Sequence, residues 1–136
     1  SGSTIQSLSF TSTSLTNVLV NTEYLDFSNV NGNGTSSTHN VALSMDGAGI
    51  QNILTGTNST SSYSGVLDLK LDTAHNDSLT LVANTSYSYW TAASPTTGSQ
   101  ISTGAINVST LTTTGQDIFV FDSTHTTLLA QLHYHV

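Results

Sequence analysis

The sequence contains no cysteine, no arginine, one lysine (Lys70), one proline (Pro95) and one tryptophan (Trp90). The absence of cysteine rules out disulfides and thiol chemistry. It leaves the compartment open, because a domain of this size can fold without bridges. One lysine and a net charge of −7 leave no basic cluster, which excludes nucleic acid and anionic membrane surfaces as partners. No apolar run approaches a membrane span. Helical periodicity is confined to one stretch, "GAGIQNILTG", where Ile50, Ile53 and Leu54 fall at i, i+3 and i+4 between glycines. At most one short helical turn is expected there.

Charge of either sign is scarce. Eight carboxylates (Glu23, Asp26, Asp46, Asp68, Asp72, Asp77, Asp117 and Asp122) and Lys70 bring charged residues to 7%, against about a quarter in ordinary domains. Hydration rests instead on 22 Ser, 24 Thr and 11 Asn. These neutral groups stay hydrated when pH or salt changes. Lys70 is the only trypsin site. Such a surface suits the outside of a cell, so a secreted, extracellular or cell-surface protein is expected. The chain opens on "SGST", as a processed mature chain or an expression remnant would. Leu, Ile, Val and Phe still make up a quarter of the 136 residues, enough for one folded domain over 1–136.

The dominant period is two. Val41, Leu43 and Met45 alternate, as do Leu67, Leu69 and Leu71, then Leu79, Leu81 and Ala83. "QDIFVFD" is apolar on both faces and suits a strand inside a sheet. At the end of the chain Leu128, Ala130, Leu132, Tyr134 and Val136 share one face, which reads as a closing strand. With further strands near 4–20, 25–30, 86–91 and 101–108, and turns every 8–12 residues, about nine short strands are expected. The fold class is all-β: an antiparallel two-sheet sandwich, Ig-like or jelly roll. Pro95 falls in a turn, where it removes no ladder bond.

Motifs for catalysis are missing: there is no nucleophile elbow, P-loop or dinucleotide fingerprint, and no enzyme or cofactor is expected. His133 and His135, at i and i+2, are the only zinc candidates, and the bland alternative is a half-wet strand face. Asp68 and Asp72, with Asp77 beyond a turn, sketch a calcium site that Lys70 between them opposes, so a salt-bridged trio is the plain expectation. Tyr87 and Tyr89 share a strand face opposite Trp90. With Tyr63 they are candidates for stacking on a sugar, against a plain role covering a sheet face while Trp90 anchors the core. Five sequons place candidate glycans at Asn33, Asn58, Asn76, Asn84 and Asn107. About four would arise by chance in so hydroxyl-rich a chain, and only the first three sit in expected loops.

In composition and strand number the chain resembles subunits of archaeal and bacterial surface filaments, in which the N-terminal strand of one subunit completes the sheet of the next. The resemblance covers the whole chain at that level and carries no motif. It implies a non-enzymatic, self-assembling subunit partnered by copies of itself through β-strand complementation. Residues 1–20 would then be the exchanged strand. Its inserted side chains would be Ile5, Leu8 and Phe10, and the acceptor would lie beside 128–136. The apolar register breaks between Phe10 and Leu15, so a first strand of the chain's own sandwich with a bulge near "TSTS" is the other reading. A carbohydrate-binding module and a viral coat or spike jelly roll fit the same architecture.

Overall fold

The computed structural model describes residues 22–26, 40–46, 49–55, 59–63, 66–71 and 77–136. They form eleven strands and no helix: β1 (Thr22–Asp26), β2 (Asn40–Asp46), β3 (Gly49–Thr55), β4 (Ser59–Tyr63), β5 (Val66–Lys70), β6 (Ser78–Leu81), β7 (Tyr87–Trp90), β8 (Gln100–Ile101), β9 (Gly104–Ile106), β10 (Gln116–Asp122) and β11 (Leu128–His135). Nine of them have four residues or more. One sheet runs β1-β5-β11-β10-β7-β8 and the other β4-β3-β2-β6-β9. Their facing sides supply one continuous core. The five-stranded sheet contributes Val41, Leu43, Met45, Ile50, Leu79 and Leu81. The six-stranded sheet contributes Leu67, Leu69, Tyr89, Ile118, Val120, Ala130, Leu132 and Tyr134. The all-β, two-sheet sandwich expected from the period of two is therefore what the chain builds.

Three features depart from expectation. The sheets are mixed rather than antiparallel, because β1 with β5, β5 with β11, and β2 with β6 run parallel. Parallel and antiparallel strands share the same side-chain period, so alternation cannot tell them apart. The helical turn at "GAGIQNILTG" is strand β3. The chain reverses between Asp46 and Gly49, which face each other, and Gly49 takes a φ of 124°. Glycine alone adopts that conformation cheaply, and the hairpin commits Ile50–Leu54 to pair with β2. The strand expected over 101–108 is broken in two. Ile101 pairs in the six-stranded sheet and Ile106 in the other, with Gly104 (φ 108°) at the crossing.

The two-faced strand is interior, as expected: β10 pairs with β7 and with β11. Ile118 and Val120 enter the core, and Phe121 is fully buried outside that cluster. Between Val120 and Phe121 the register with β11 slips by one, leaving Leu129 as an extra residue. Ala130, Leu132 and Tyr134 keep the inward phase expected of them, and Leu128 and Val136 are half-buried. β11 lies between β5 and β10, and so does not close the sheet. Hydroxyls order the loops: Thr91 Oγ1 accepts from Ser99 N (2.8 Å) and Ser94 Oγ accepts from Thr96 N (3.2 Å) on the way from β7 to β8.

Candidate functional site

Strand pairing puts His133 opposite a carboxylate on each neighbouring strand, and His135, opposite Lys70, reaches one of them diagonally. His133 lies opposite Asp117 of β10 and Asp68 of β5. Its Nδ1 donates to Asp117 Oδ1 at 2.7 Å, an oxygen that also accepts from Gln131 Nε2 at 3.2 Å. His135 Nε2 approaches Asp68 Oδ1 to 2.8 Å, off the line of a hydrogen bond. The two rings are 5.5 Å apart and tilted by 31°. The imidazoles thus engage two different carboxylates instead of converging. Among the described residues no group of three or more His, Asp or Glu is disposed to hold a metal ion. Asp68 of the acidic trio is half-buried against His135 and Asp77 is buried, while Asp72 lies outside the described residues. These contacts join β5, β11 and β10 across the outer face of the six-stranded sheet.

At the other end of the β10–β11 pair stands a corner that no local pattern announces. His125, in the turn between β10 and β11, has a φ of 57°, and its ring stacks on Trp90 at 3.4 Å with planes 1° apart. Phe121 meets the same imidazole edge-on at 4.5 Å. Trp90 Nε1 donates to Ser88 Oγ (2.8 Å), which in turn donates to the carbonyl of Asp122 (2.7 Å). Asp122 Oδ1 accepts from the backbone of Thr126 (2.7 Å) and Thr127 (3.3 Å). The Thr126 bond foremost, with Thr127, Thr124 and His125 adding, holds the Asp122 carboxyl below its usual range. Trp90 points away from Tyr89, as alternation requires. It anchors this outer corner and not the core, and one face of its ring is already taken.

The tyrosines do not form the exposed platform that their spacing suggests. Tyr87 and Tyr89 do share a face, but it is the inner one. Tyr89 is 3% exposed, and its hydroxyl donates to Val82 O at 2.9 Å. Its ring cannot stack on a sugar, and burial pushes its phenol pKa up. Tyr87 is half-buried and packs against the core. Of Tyr63 the structure describes only the backbone, at the end of β4. What this end of the sheet offers is an open groove of about 490 Å³ lined by Tyr87, Ser88, Tyr89, Gln100, Ile101, Ser102 and Thr103, with no charged side chain.

The edges of the sheets complete the set of candidate surfaces. Among the described residues β1 and β8 bound one sheet, and β4 and β9 the other. Because β11 is paired on both sides, an incoming strand has no backbone edge to join at 128–136, so the expected acceptor is not there. Ile5, Leu8 and Phe10 lie outside the described residues, as do Asn33, Asn58 and Asn76. Asn84 and Asn107, which the sequence does not place in loops, are both exposed beyond strand ends. No known family, no curated protein and no solved structure matches this chain.

Proposed function

We propose that this chain is a structural subunit that assembles with copies of itself on the outside of a cell by adding strands to sheet edges. The observation that carries this reading is the chemistry of the edges. Natural edge strands are blunted by lysines, prolines, charges or shortness. The one lysine lies in β5, inside a sheet, and the one proline lies in a loop. β8 and β9 are short and β1 carries Glu23 and Asp26, but β4 ("STSSY") is a five-residue neutral edge paired only with β3 among the described residues. The acceptor is therefore β4 in place of β11, and the donor is residues 1–20 of another copy, with Ile5, Leu8 and Phe10 inserted. A head-to-tail contact of this kind does not close and yields a filament. Lysines placed at Thr60 and Ser62 should abolish filaments seen by negative-stain microscopy while the thermal melt stays within a few degrees. Filaments that persist would exclude β4.

One observation favours a second reading, a carbohydrate-binding module. The uncharged groove beside β8 falls in the size range of small-ligand sites. Gln100, Ser102 and Thr103 offer hydroxyl and amide partners there, with Tyr87 as the available ring. Binding would shift the tyrosine fluorescence of the folded chain on addition of a neutral polysaccharide, and substitution of Gln100 and Thr103 by alanine would remove the shift.

A further inference from the structure

We infer that Asn84 and Asn107 are acceptor sites for N-linked glycans, an assignment that rests on the extracellular reading above. N-glycosylation needs Asn-x-Ser/Thr with the hydroxyl two residues on, in an exposed segment able to enter a transferase. Five such triplets by themselves are close to the chance number. Local geometry adds what the count cannot.

In "NVS" the side-chain oxygen of Asn107 accepts from both the backbone N–H of Ser109 (3.0 Å) and its hydroxyl (2.7 Å). The required hydroxyl is thus already seated on the acceptor amide. In "NTS" Asn84 Oδ1 accepts from Ser86 N at 2.8 Å. Both are side-chain turns of the type asparagine favours. Each lies next to a backbone reversal: Tyr87 N donates to Asn84 O (3.4 Å) and Leu111 N to Val108 O (3.1 Å). Residues 84–86, 107 and 109 are exposed. In both triplets it is Oδ1 that makes these bonds, so they do not occupy Nδ2, the atom that receives the sugar.

The reaction is a glycosyl transfer from a lipid-linked sugar pyrophosphate. A bond forms between Nδ2 and the anomeric carbon, the bond from that carbon to the pyrophosphate oxygen breaks, and the nitrogen's proton passes to a base of the transferase. No electrons are exchanged.

The positions also suit the assembly. β6 and β9 are antiparallel, with Leu79 opposite Ile106 and Leu81 opposite Gly104, so Asn84 and Asn107 lie beyond opposite ends of this ladder. A glycan on Asn107, directly after edge strand β9, would cover that edge and leave β4 as the open one on the same sheet.

The test is peptide mapping by mass spectrometry of the full native chain, and of the full chain secreted through a glycosylating host, cut with a protease that does not need lysine. Hexose-bearing peptides are expected at both asparagines. Ser109→Ala should empty Asn107 while leaving Asn84 occupied, and Ser109→Thr should restore it. Unmodified Asn84 and Asn107 in secreted protein, or a glycan retained on Asn107 in S109A, would overturn the assignment. If both are unmodified in material that still forms filaments, the glycan assignment fails alone and the assembly stands.

Discussion

Ser88→Ala removes one buried oxygen that links Trp90 of its own strand to the end of β10. Its Oγ accepts from Trp90 Nε1 and donates to Asp122 O, which ties β7 to the turn after β10. Asp122 O keeps a second partner in His125 N at 3.1 Å, so only the indole N–H loses its sole partner. A net hydrogen bond contributes about 1 kcal/mol and orphaning the N–H of a half-buried ring costs up to about as much again, which puts the loss at about 1–2 kcal/mol. For a chain of this length that corresponds to a drop of roughly 3–7 °C in Tm. The melt can be followed by far-UV circular dichroism and, because Trp90 is the only tryptophan, by fluorescence that reports this corner alone. Alanine should also change the emission of the folded state, since the ring loses the bond that holds it over His125. A variant melting within about 1 °C of the parent, with unaltered emission, would refute the claim that this network anchors the β10–β11 turn.

Three further outcomes follow from the same geometry. The Asp122 carboxyl is held below its ordinary value of 3.8, mainly by the Thr126 N–H. Its contribution is therefore complete above that value and lost as pH falls through the lower folded value. Asp122→Asn should melt below the parent at pH 6, and the gap should narrow in melts taken below about pH 4. Burial raises the phenol pKa of Tyr89, and burial together with the charge on Asp117 raises that of Tyr134. These groups stabilise the fold fully below pH ~10 and lose that contribution above it, so Tyr89 and Tyr134 should ionise late in an ultraviolet titration, with unfolding. If phenylalanine at both positions leaves the late part of the titration unchanged, the burial is wrong. Gly115 has a φ of 77°, and a Cβ there would run into the carbonyl of Tyr134 on β11. Gly115→Ala should cost more than the roughly 1 kcal/mol of conformational strain alone, as read by urea denaturation, and an unchanged midpoint would contradict the packing.

Several elements were legible in the sequence because one physical signal decided each of them. The phase of Ala130, Leu132 and Tyr134, and the double apolar face of "DIFVF", predict the burial seen in β11 and β10. The β3 stretch misleads because three apolar residues in five fit either period, and only the reversal at Gly49 decides between them. Alternation puts Tyr87 and Tyr89 together but carries no sign, so it could not say that their face is the inner one. The order β5-β11-β10 was hidden for a similar reason: side-chain pattern reveals a strand's faces and not its neighbours. The Trp90–His125 stack joins residues far apart in sequence through a left-handed backbone position that the local residues do not announce. The asparagine turns depend on which way a short polar side chain folds back, which the triplet alone leaves open.

The most direct test of the central claim is negative-stain microscopy and sedimentation of the intact chain, of the chain lacking residues 1–12, and of the chain with lysines at Thr60 and Ser62, all at one concentration and with matched thermal melts. Assembly through β4 predicts filaments in the first sample. It predicts folded, non-assembling protein in the other two, and a one-to-one dimer but no filament when the two defective chains are mixed, since one keeps only the donor and the other only the acceptor. A folded monomer in every sample, or filaments in all three, would contradict it.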